Sequence, residues 1–407
     1  QKRSSQLNLL FTGMQVSGLE TVDLSGEQPR KLDAAMLAEL ETYVRETLEQ
    51  YGVPGAAVAV VQDGEVVFAR GFGVRNPQGD PVTADTQMMI GSTSKTMSTM
   101  MMATVVDDGL MEWSTPVVEI LPQFAVADPE LTPKVEVQHL VCNCTGVSRG
   151  DLELLFNAEE LTPEMVVESL ETLEIYTGFG DAFNYNNQMV ATGGYVAAVA
   201  AAGSTGDLRS AYVNTVQARV FDPIGMPNTT PSLESVLAGD DYAVPYGQNL
   251  NMEYAPLPVE YEDTMVAPVV SAGGIWSTAT DMARYLITEL NKGVGPDGNR
   301  VVSEENLQKT WEPQVQITSD SSYGMGWFVA DYKGQRLLHH GGATLGFTSD
   351  LAFLPEAGIG ISILSNARAS SSFNQSVRYR VLEMVFDQPY QYHRQAEISQ
   401  EVGRTEL

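Results

Sequence analysis

The sequence predicts an α+β fold: an antiparallel sheet flanked by helices, built from both chain ends, with an inserted, mostly helical domain. Strand-like runs at residues 56–62 and 65–72 flank an Asp-Gly pair, which favours a hairpin turn. Similar runs recur after residue 327, whereas residues 111–266 show helical periods broken by proline and glycine. Strands at both ends with helices between them indicate one sheet assembled from the two termini.

The individual elements follow from local patterns. Apolar residues recur near the helical period over 32–51, where Gly52 ends the pattern, and a second helix is predicted from Ser92 to about Asp108. Further helices are predicted at 161–173, 194–202, 208–220, 278–290, 304–311 and 373–386. Strands are predicted at 327–331, 336–339, 348–354 and 359–366, and the stretch 223–263 is expected to be rich in loops.

These elements predict four parts of the chain. Residues 1–30 form an N-terminal arm, and residues 31–85 together with 267–388 form the sheet domain. Residues 86–266 form the helical domain and residues 389–407 a C-terminal tail. No internal repeat or low-complexity tract interrupts this division.

Composition limits the classes of partner. The chain has 407 residues, 43% of them hydrophobic, and no apolar run long enough to span a membrane. Its net charge of −29 comes from 52 acidic and 23 basic residues, which disfavours nucleic acid and anionic membranes as partners. A small-molecule or peptide substrate is compatible with this composition, and so is an oligomer.

Cys142 and Cys144 are the two cysteines of the sequence. With one residue between them, an intramolecular bridge is expected to be strained, because disulfide geometry is narrow. A metal site would need more ligands than the neighbouring His139 supplies. We therefore expect two small buried thiols, no metal and no disulfide framework.

A Ser-x-x-Lys element lies at Ser92 and Lys95, at the predicted start of a helix. Positions i and i+3 share a helix face, so the hydroxyl and the amine lie side by side. Burial lowers the proton affinity of a lysine, which can then help to deprotonate the serine and make it a nucleophile. The element alone is weak, since an ordinary helix start with a solvated lysine has the same letters.

Two further elements follow in order. Tyr185 and Asn187 form a Tyr-x-Asn element about ninety residues downstream, and His340 and Gly342 form a His-x-Gly element near the C-terminus. In this order, the three elements resemble the penicillin-recognising serine hydrolases, a superfamily of class C β-lactamases, DD-peptidases, D-aminopeptidases and esterases. Other segments carry the same resemblance and extend it over most of residues 32–388: 53–62, 221–226, 271–278 and 323–327.

The resemblance implies the β-lactamase/transpeptidase-like fold, with its site in the cleft between the lobes, and a role for each motif. Ser92 becomes the acyl-accepting nucleophile, Lys95 lowers the proton affinity of Ser92 and Tyr185, and Tyr185 acts as general base and then acid. A nearby cationic lysine favours the phenolate that this role requires. The alternative for Tyr185 is a buried tyrosine whose hydroxyl is satisfied.

The same resemblance implies the substrate-binding residues. Asn187 positions the substrate carbonyl or Lys95, with a loop asparagine bonded to nearby backbone as the equal alternative. His340 replaces the lysine of the β-lactamase element. Because neighbours in a strand point to opposite faces, only one of His339 and His340 can face the cleft, and the spacing to Gly342 selects His340. Gly342 lets a ligand approach the backbone closely, and the N–H of Ala343 becomes the second oxyanion donor.

The implied function is a serine hydrolase that cleaves an amide or ester through a Ser92 acyl-enzyme without metal or organic cofactor. His340 favours a peptidase of the D-amino-acid type or a carboxylesterase over a β-lactamase. The alternatives are a β-lactamase, a penicillin-binding module that is acylated without turnover, and a catalytically dead protein.

Two features concern the chain's context. Where the family often has His-Thr-Ser-Gly, this chain has Asn143-Cys144-Thr145-Gly146, which predicts an unusual pocket wall. The chain starts at Gln1 without the apolar core of a signal peptide, and the family resemblance implies an extracytoplasmic location, periplasmic or secreted.

Overall fold

The computed structural model describes residues 22–204 and 206–392. Most of the predicted N-terminal arm and most of the predicted C-terminal tail therefore lie outside the described residues. Within the described ranges, no helix combines the length and the apolar character that crossing a lipid bilayer requires.

The strands form one large antiparallel sheet and two short pairs. They are β1 (Gly55–Gln62), β2 (Glu65–Gly73), β3 (Met88–Met89), β4 (Tyr246–Gln248), β5 (Tyr254–Pro256), β6 (Trp276–Ser277), β7 (Val315–Thr318), β8 (Ser321–Tyr323), β9 (Phe328–Tyr332), β10 (Gln335–Ala343), β11 (Thr348–Leu354) and β12 (Ile359–Ser365). Among the described residues, the large sheet has eight strands in the order β2-β1-β12-β11-β10-β9-β8-β7. β3 pairs with β6, and β4 with β5.

The sheet is assembled from the two ends of the chain, as predicted. N-terminal β1 pairs along its length with C-terminal β12, from Ala56 opposite Ser365 to Gln62 opposite Ile359. The β1–β2 hairpin turns at Asp63 and Gly64, which both have positive φ. The sequence-based expectation of an α+β fold with a sheet from both termini is confirmed.

The helices cover both faces of the sheet, and most of them come from the chain segment between the N-terminal strands β1 and β2 and the C-terminal strands β7–β12. They are α1 (Ala34–Tyr51), α2 (Ser94–Asp107), α3 (Val117–Ile120), α4 (Val137–Val141), α5 (Asp151–Asn157), α6 (Pro163–Ser169), α7 (Asn187–Ala202), α8 (Leu208–Val216), α9 (Asp222–Ile224), α10 (Leu233–Leu237), α11 (Val259–Val266), α12 (Val270–Gly273), α13 (Ala279–Leu290), α14 (Glu304–Trp311) and α15 (Ser371–Val385). Short 3₁₀ turns at Gly91–Thr93, Thr132–Lys134, Leu170–Thr172 and Ala267–Val269 and a π turn at Gln217–Phe221 complete the set.

β1 shows how the sheet divides the apolar core. All of its residues are buried, and alternate side chains enter different clusters because successive side chains point to opposite faces. Val58 and Val60 pack with the cluster that α1 and α15 cover, whereas Ala57 and Val61 belong to the larger cluster with the helical region. The central strands are therefore buried on both faces, which holds the strands that carry the site in place.

Helix boundaries follow their caps. Asp33 accepts hydrogen bonds from the first turn of α1, and Gly52 ends it in the left-handed conformation. α7 begins at Asn187, seven positions earlier than expected, because Asn186 caps it by accepting from the backbone N–H of Met189 at 2.9 Å. The division into a sheet domain and a helical domain stays a prediction.

Candidate active site

Ser92 and Lys95 lie side by side, as their spacing predicts. Ser92 belongs to the 3₁₀ turn that leads into α2, and Lys95 is in the first turn of that helix. The Lys95 Nζ donates to Ser92 Oγ at 3.0 Å and to the Ala272 carbonyl at 2.7 Å. Lys95 is completely buried, whereas Ser92 is partly accessible, so the hydroxyl is the member of the pair that meets a substrate.

The start of this helix is fixed against β10 and β11. Ser349 of β11 donates to the Ile90 carbonyl at 2.6 Å. A Cβ on Gly342 would lie 1.9 Å from the Ile90 oxygen, and a Cβ on Gly91, whose φ is +53°, would lie 2.6 Å from the Ala343 nitrogen. Only glycine permits this approach at both positions, and it brings Ala343 beside the nucleophile.

Burial sets the protonation state of Lys95. Desolvation, partly opposed by Asp151 and reinforced by Arg149, lowers the pKa of Lys95 to about 7. A substantial fraction of the amine is therefore neutral near neutral pH and free to accept a proton. Lysines usually keep their proton well above this range.

Tyr185 lies above the same pair. The Lys95 Nζ is 5.0 Å from the centroid of the Tyr185 ring, and the Arg149 guanidinium carbon is 5.3 Å from it. Burial raises the pKa of Tyr185 above its usual range, although a hydrogen bond with Ser92 acts in the opposite direction. At neutral pH the phenol therefore keeps its proton and is a donor, which differs from the phenolate that the sequence led us to expect.

Asn187 is the first residue of α7 and lines the cavity above Ser92. Its side-chain amide donates to the Asp151 Oδ1 at 3.1 Å, and Asp151 in turn forms an ion pair with Arg149. Sequence reasoning missed Arg149 and Asp151, because neither belongs to a recognisable motif. Asn187 therefore has a side-chain partner at the start of another helix, α5, and still lines the cavity.

His340 does not occupy the predicted place on the cavity wall. It is 1% exposed, and its ring centroid lies 6.2 Å from that of Tyr185. Burial and the charge of Lys95 lower the pKa of His340 to about 3, so the imidazole is neutral. Its Nδ1 donates to the Gly341 carbonyl at 2.7 Å, which leaves Nε2 to accept from the Tyr323 hydroxyl at 3.1 Å. His340 thus packs near the Tyr185 ring and is not among the residues that line the cavity.

The prediction of two free thiols at Cys142 and Cys144 is wrong, because the two residues form a disulfide. Asn143 between them adopts a left-handed φ of 53°, which brings the Cα atoms of the cysteines to 5.2 Å. This separation lies within the ordinary range for disulfides. The strain expected for a disulfide across a single residue is thus avoided by the left-handed backbone conformation of Asn143.

The bridged turn holds the chain segment that carries Tyr185. The Asn143 carbonyl accepts from the Asn184 N–H at 2.8 Å, and the Asn143 Oδ1 accepts from the Asn186 N–H at 2.9 Å. These two bonds flank Tyr185 on both sides, so the disulfide fixes a turn that positions the phenol.

We therefore expect the double variant Cys142→Ala, Cys144→Ala to lose roughly tenfold or more in turnover, because small displacements of a catalytic group are costly. Its loss of stability should be small, about 1–2 kcal/mol, since the bridge closes a very short loop. Ester hydrolysis and thermal melting measure the two effects. A strong reductant should slow the wild type and leave the double variant unaffected; equal turnover of the two proteins would contradict a positioning role.

A cavity of about 680 Å³ opens above Ser92, and Asn187, Ala272 and Ala343 line it. This volume is in the range of sites for drug-sized ligands. Among the described residues, no cluster of three His, Cys, Asp or Glu side chains is arranged to hold a metal ion. Ser92, Lys95 and Tyr185 bring a hydroxyl, an amine and a phenol together beside this cavity, and the charged side chains of Arg149, Asp151 and Arg368 also line it.

Comparisons with known proteins find relatives named as a penicillin-binding protein, a β-lactamase and a hydrolase. Penicillin-binding protein 4 of Amycolatopsis lactamdurans is 27% identical over 336 residues, which cover 80% of this chain and 84% of that protein. A Beta-lactamase of Yersinia enterocolitica is 23% identical over 94% of this chain and 99% of its own. Unguisins hydrolase ungD' of Aspergillus campestris (strain IBT 28561) is 24% identical over 84% of this chain, which spans only 64% of the hydrolase.

A solved structure shares the fold. The octameric penicillin-binding protein homologue from Pyrococcus abyssi matches 87% of this chain and 78% of its own with a TM-score of 0.74 at 22% identity. The family model described as Beta-lactamase matches residues 40–385. With the family model covering most of its length, the chain belongs to the Beta-lactamase family, whose members are generally serine hydrolases.

Proposed function

We propose that this protein is a serine hydrolase that cleaves an ester or an amide through an acyl-enzyme on Ser92, as a carboxylesterase or a peptidase of the D-amino-acid type. The observation that carries the proposal is the buried Lys95 amine, which bonds Ser92 Oγ at 3.0 Å and has a pKa lowered to about 7. A base of this strength beside a hydroxyl matches the requirement for nucleophile activation near neutral pH.

In the first step, neutral Lys95 accepts the proton of Ser92 as Oγ attacks the carbonyl carbon. The negative charge that develops on the carbonyl oxygen is stabilised by the N–H groups of Ser92 and Ala343, which line the cavity together. The C–O or C–N bond then breaks as Tyr185 donates its phenolic proton to the leaving group. The Lys95 ammonium returns a proton to Tyr185, so both groups regain their starting states.

In the second step, water attacks the acyl group on Ser92 and gives its proton to neutral Lys95. Collapse of this second intermediate releases the acid, and the Lys95 proton restores the Ser92 hydroxyl. One water is consumed in each cycle and no redox partner is needed. To Asn187, which lines the cavity, we assign contact with the substrate carbonyl through its side-chain amide.

Two features support a peptidase or esterase over a β-lactamase. The position that carries lysine in the β-lactamase element holds His340, which is buried, neutral and bonded to Tyr323. This position therefore lacks the cation that a lysine would offer to the carboxylate of a β-lactam. The relative named as a hydrolase of unguisins supports a hydrolytic rather than a purely binding role.

A substrate panel with intact-mass detection tests the proposal. It contains p-nitrophenyl acetate, the p-nitroanilides of D- and L-alanine, a chromogenic cephalosporin and a fluorophosphonate. We expect turnover of an ester or aminoacyl amide faster than of the cephalosporin, and one fluorophosphonate on the peptide that contains Ser92. If the protein forms a stable β-lactam adduct and releases no product from any substrate, it is a sensor and not a hydrolase. If no adduct forms at all, the acyl-enzyme mechanism is wrong.

Two further properties are proposed on the same basis. The Cys142–Cys144 disulfide fits an oxidising compartment, which supports an extracytoplasmic location. Assembly into an oligomer is supported by the octameric Pyrococcus abyssi homologue of similar fold.

A further inference from the structure

The cavity around Ser92 has two arms of different character. One arm has a volume of about 680 Å³ and the other of about 360 Å³. Both arms contain Ser92 and Ala343, so both meet at the reacting centre. A substrate whose carbonyl lies at Ser92 therefore places one of its two halves in each arm.

The lining of the larger arm is mostly apolar. Its apolar side chains include Leu154, Leu257, Met265, Val266, Val269 and Leu345. Polar side chains line it too, among them Arg149 and Arg368, which it shares with the smaller arm. The arm continues into a surface groove of about 310 Å³. Leu155, Tyr261 and Met265 line both, and Phe156 extends the groove outward with 77% of its surface exposed. Exposed apolar side chains that continue a reaction cavity mark a binding surface more often than chance exposure does.

The smaller arm is polar and contains the acid. Tyr185 lines this arm and is absent from the lining of the apolar arm. Its other walls carry hydroxyl, amide and carboxylate groups from Ser349, Asp350, Ser371, Asn374 and Gln375. The guanidinium groups of Arg149 and Arg368 line it as well. Asp350 is paired with Arg378 at 3.0 Å, so its charge is already compensated.

The position of Tyr185 fixes the orientation of the substrate. In the proposed mechanism the phenol donates its proton to the leaving group, which must therefore lie in the polar arm with Tyr185. The acyl half is left with the apolar arm. We propose that the enzyme is selective for esters or amides of extended apolar acyl groups that bear a small or polar leaving group, an inference that rests on the proposed hydrolase function.

Acyl-chain length tests the inference directly. With p-nitrophenyl acetate, butyrate, hexanoate and octanoate, we expect kcat/KM to rise by up to about fourfold per methylene and by at least roughly tenfold overall, because each methylene is removed from water. With ethyl to octyl acetates, in which the chain lengthens on the leaving side, kcat/KM should stay within about threefold.

Variants locate the selectivity. Met265→Asp and Leu155→Asp place a charge in the apolar arm at partly exposed positions and should lower the octanoate-to-acetate ratio at least about tenfold. Met165→Asp is the matched control, a partly exposed methionine on α6 that is not among the residues lining either arm. Met165→Asp should keep the octanoate-to-acetate ratio, the acetate turnover and the thermal melting of the wild type, and thermal melting of the other two shows that they fold.

The outcomes separate this inference from the proposed function. Ser92-dependent acetate hydrolysis with no dependence on acyl length, or a rate that rises with the length of the leaving alcohol, would overturn the selectivity and keep the hydrolase. A protein that neither hydrolyses any ester nor is acylated at Ser92 would instead overturn the proposed function.

Discussion

Replacing Ser92 by alanine is expected to lower kcat/KM for p-nitrophenyl esters at least about 10³-fold. The hydroxyl is the acyl acceptor, and removal of a serine nucleophile elsewhere lowers kcat by roughly 10⁶-fold. We expect residual hydrolysis by water in the cavity, because the proposed N–H donors of residues 92 and 343 remain in the variant. Steady-state assays and fluorophosphonate labelling, followed by intact mass, measure the loss.

Ser94→Ala is the matched control on the same turn of chain. The Ser94 hydroxyl is buried and accepts from the Ile275 N–H at 3.2 Å, without lining the cavity. Its loss leaves a buried donor without a partner and should destabilise the fold by about 1–3 kcal/mol while turnover continues. If Ser92→Ala hydrolyses esters like the wild type, or if Ser94→Ala alone abolishes labelling, the nucleophile has been misassigned.

The internal geometry of a motif is predictable because it rests on local spacing, whereas the expectation that the three motifs meet came from the family resemblance. The i, i+3 spacing places Lys95 beside Ser92 in any helix. The glycine at Gly342 signals a close backbone approach before its partner, the Ile90 carbonyl, is known. The methionines around the Ser92 helix are buried in the apolar core: Met88, Met89, Met97, Met100, Met101 and Met102.

Features that depend on packing between remote segments were not predictable. Strand alternation says that either His339 or His340 faces the cleft, but the phenol of Tyr323 that covers His340 comes from another strand. The bridge at Cys142 depends on the backbone angle of Asn143, which the residue type allows without requiring. Arg149 reaches the Tyr185 ring from a loop whose path no local pattern encodes.

Short strands and loop elements escaped prediction for a different reason. β7 and β8 are only four and three residues long, too short for the alternation of Val315 and Ile317 with polar neighbours to be told from a loop. α11, which carries Met265 into the cavity, follows Pro258 within a stretch that reads as loop. Elements that line the apolar arm, such as α11, are thus among the hardest to predict from the sequence. For this reason the proposed acyl selectivity could be inferred only from the structure.

Replacing Lys95 by methionine is expected to lower kcat/KM by about 10²- to 10⁴-fold, the usual contribution of a positioned general base. In the wild type, kcat/KM should fall as the pH drops below about 7, because protonation of an amine with a pKa of about 7 removes the base. The variant should lack this acid limb. Ester hydrolysis from about pH 5 to 10 shows both effects, and Lys309→Met, at a partly exposed lysine on α14, should behave like the wild type.

The pH dependence of stability tests whether the pKa of Lys95 is lowered in the folded protein. The folded pKa of Lys95 is lowered from 10.5 to about 7, so the unfolded chain binds this proton more tightly. The free energy of unfolding therefore rises with pH between about 7 and 10.5. As the pH falls through this range, the cost of burying the amine grows, and below about 7 it stays constant.

Because Lys95→Met lacks the titrating group, its melting temperature relative to the wild type should increase as the pH falls through the same window. A difference that stays constant with pH would show that the amine keeps an ordinary pKa. In that case Lys95 stays protonated near neutral pH, the base of the reaction must be sought elsewhere, and the phenolate of Tyr185 becomes the alternative.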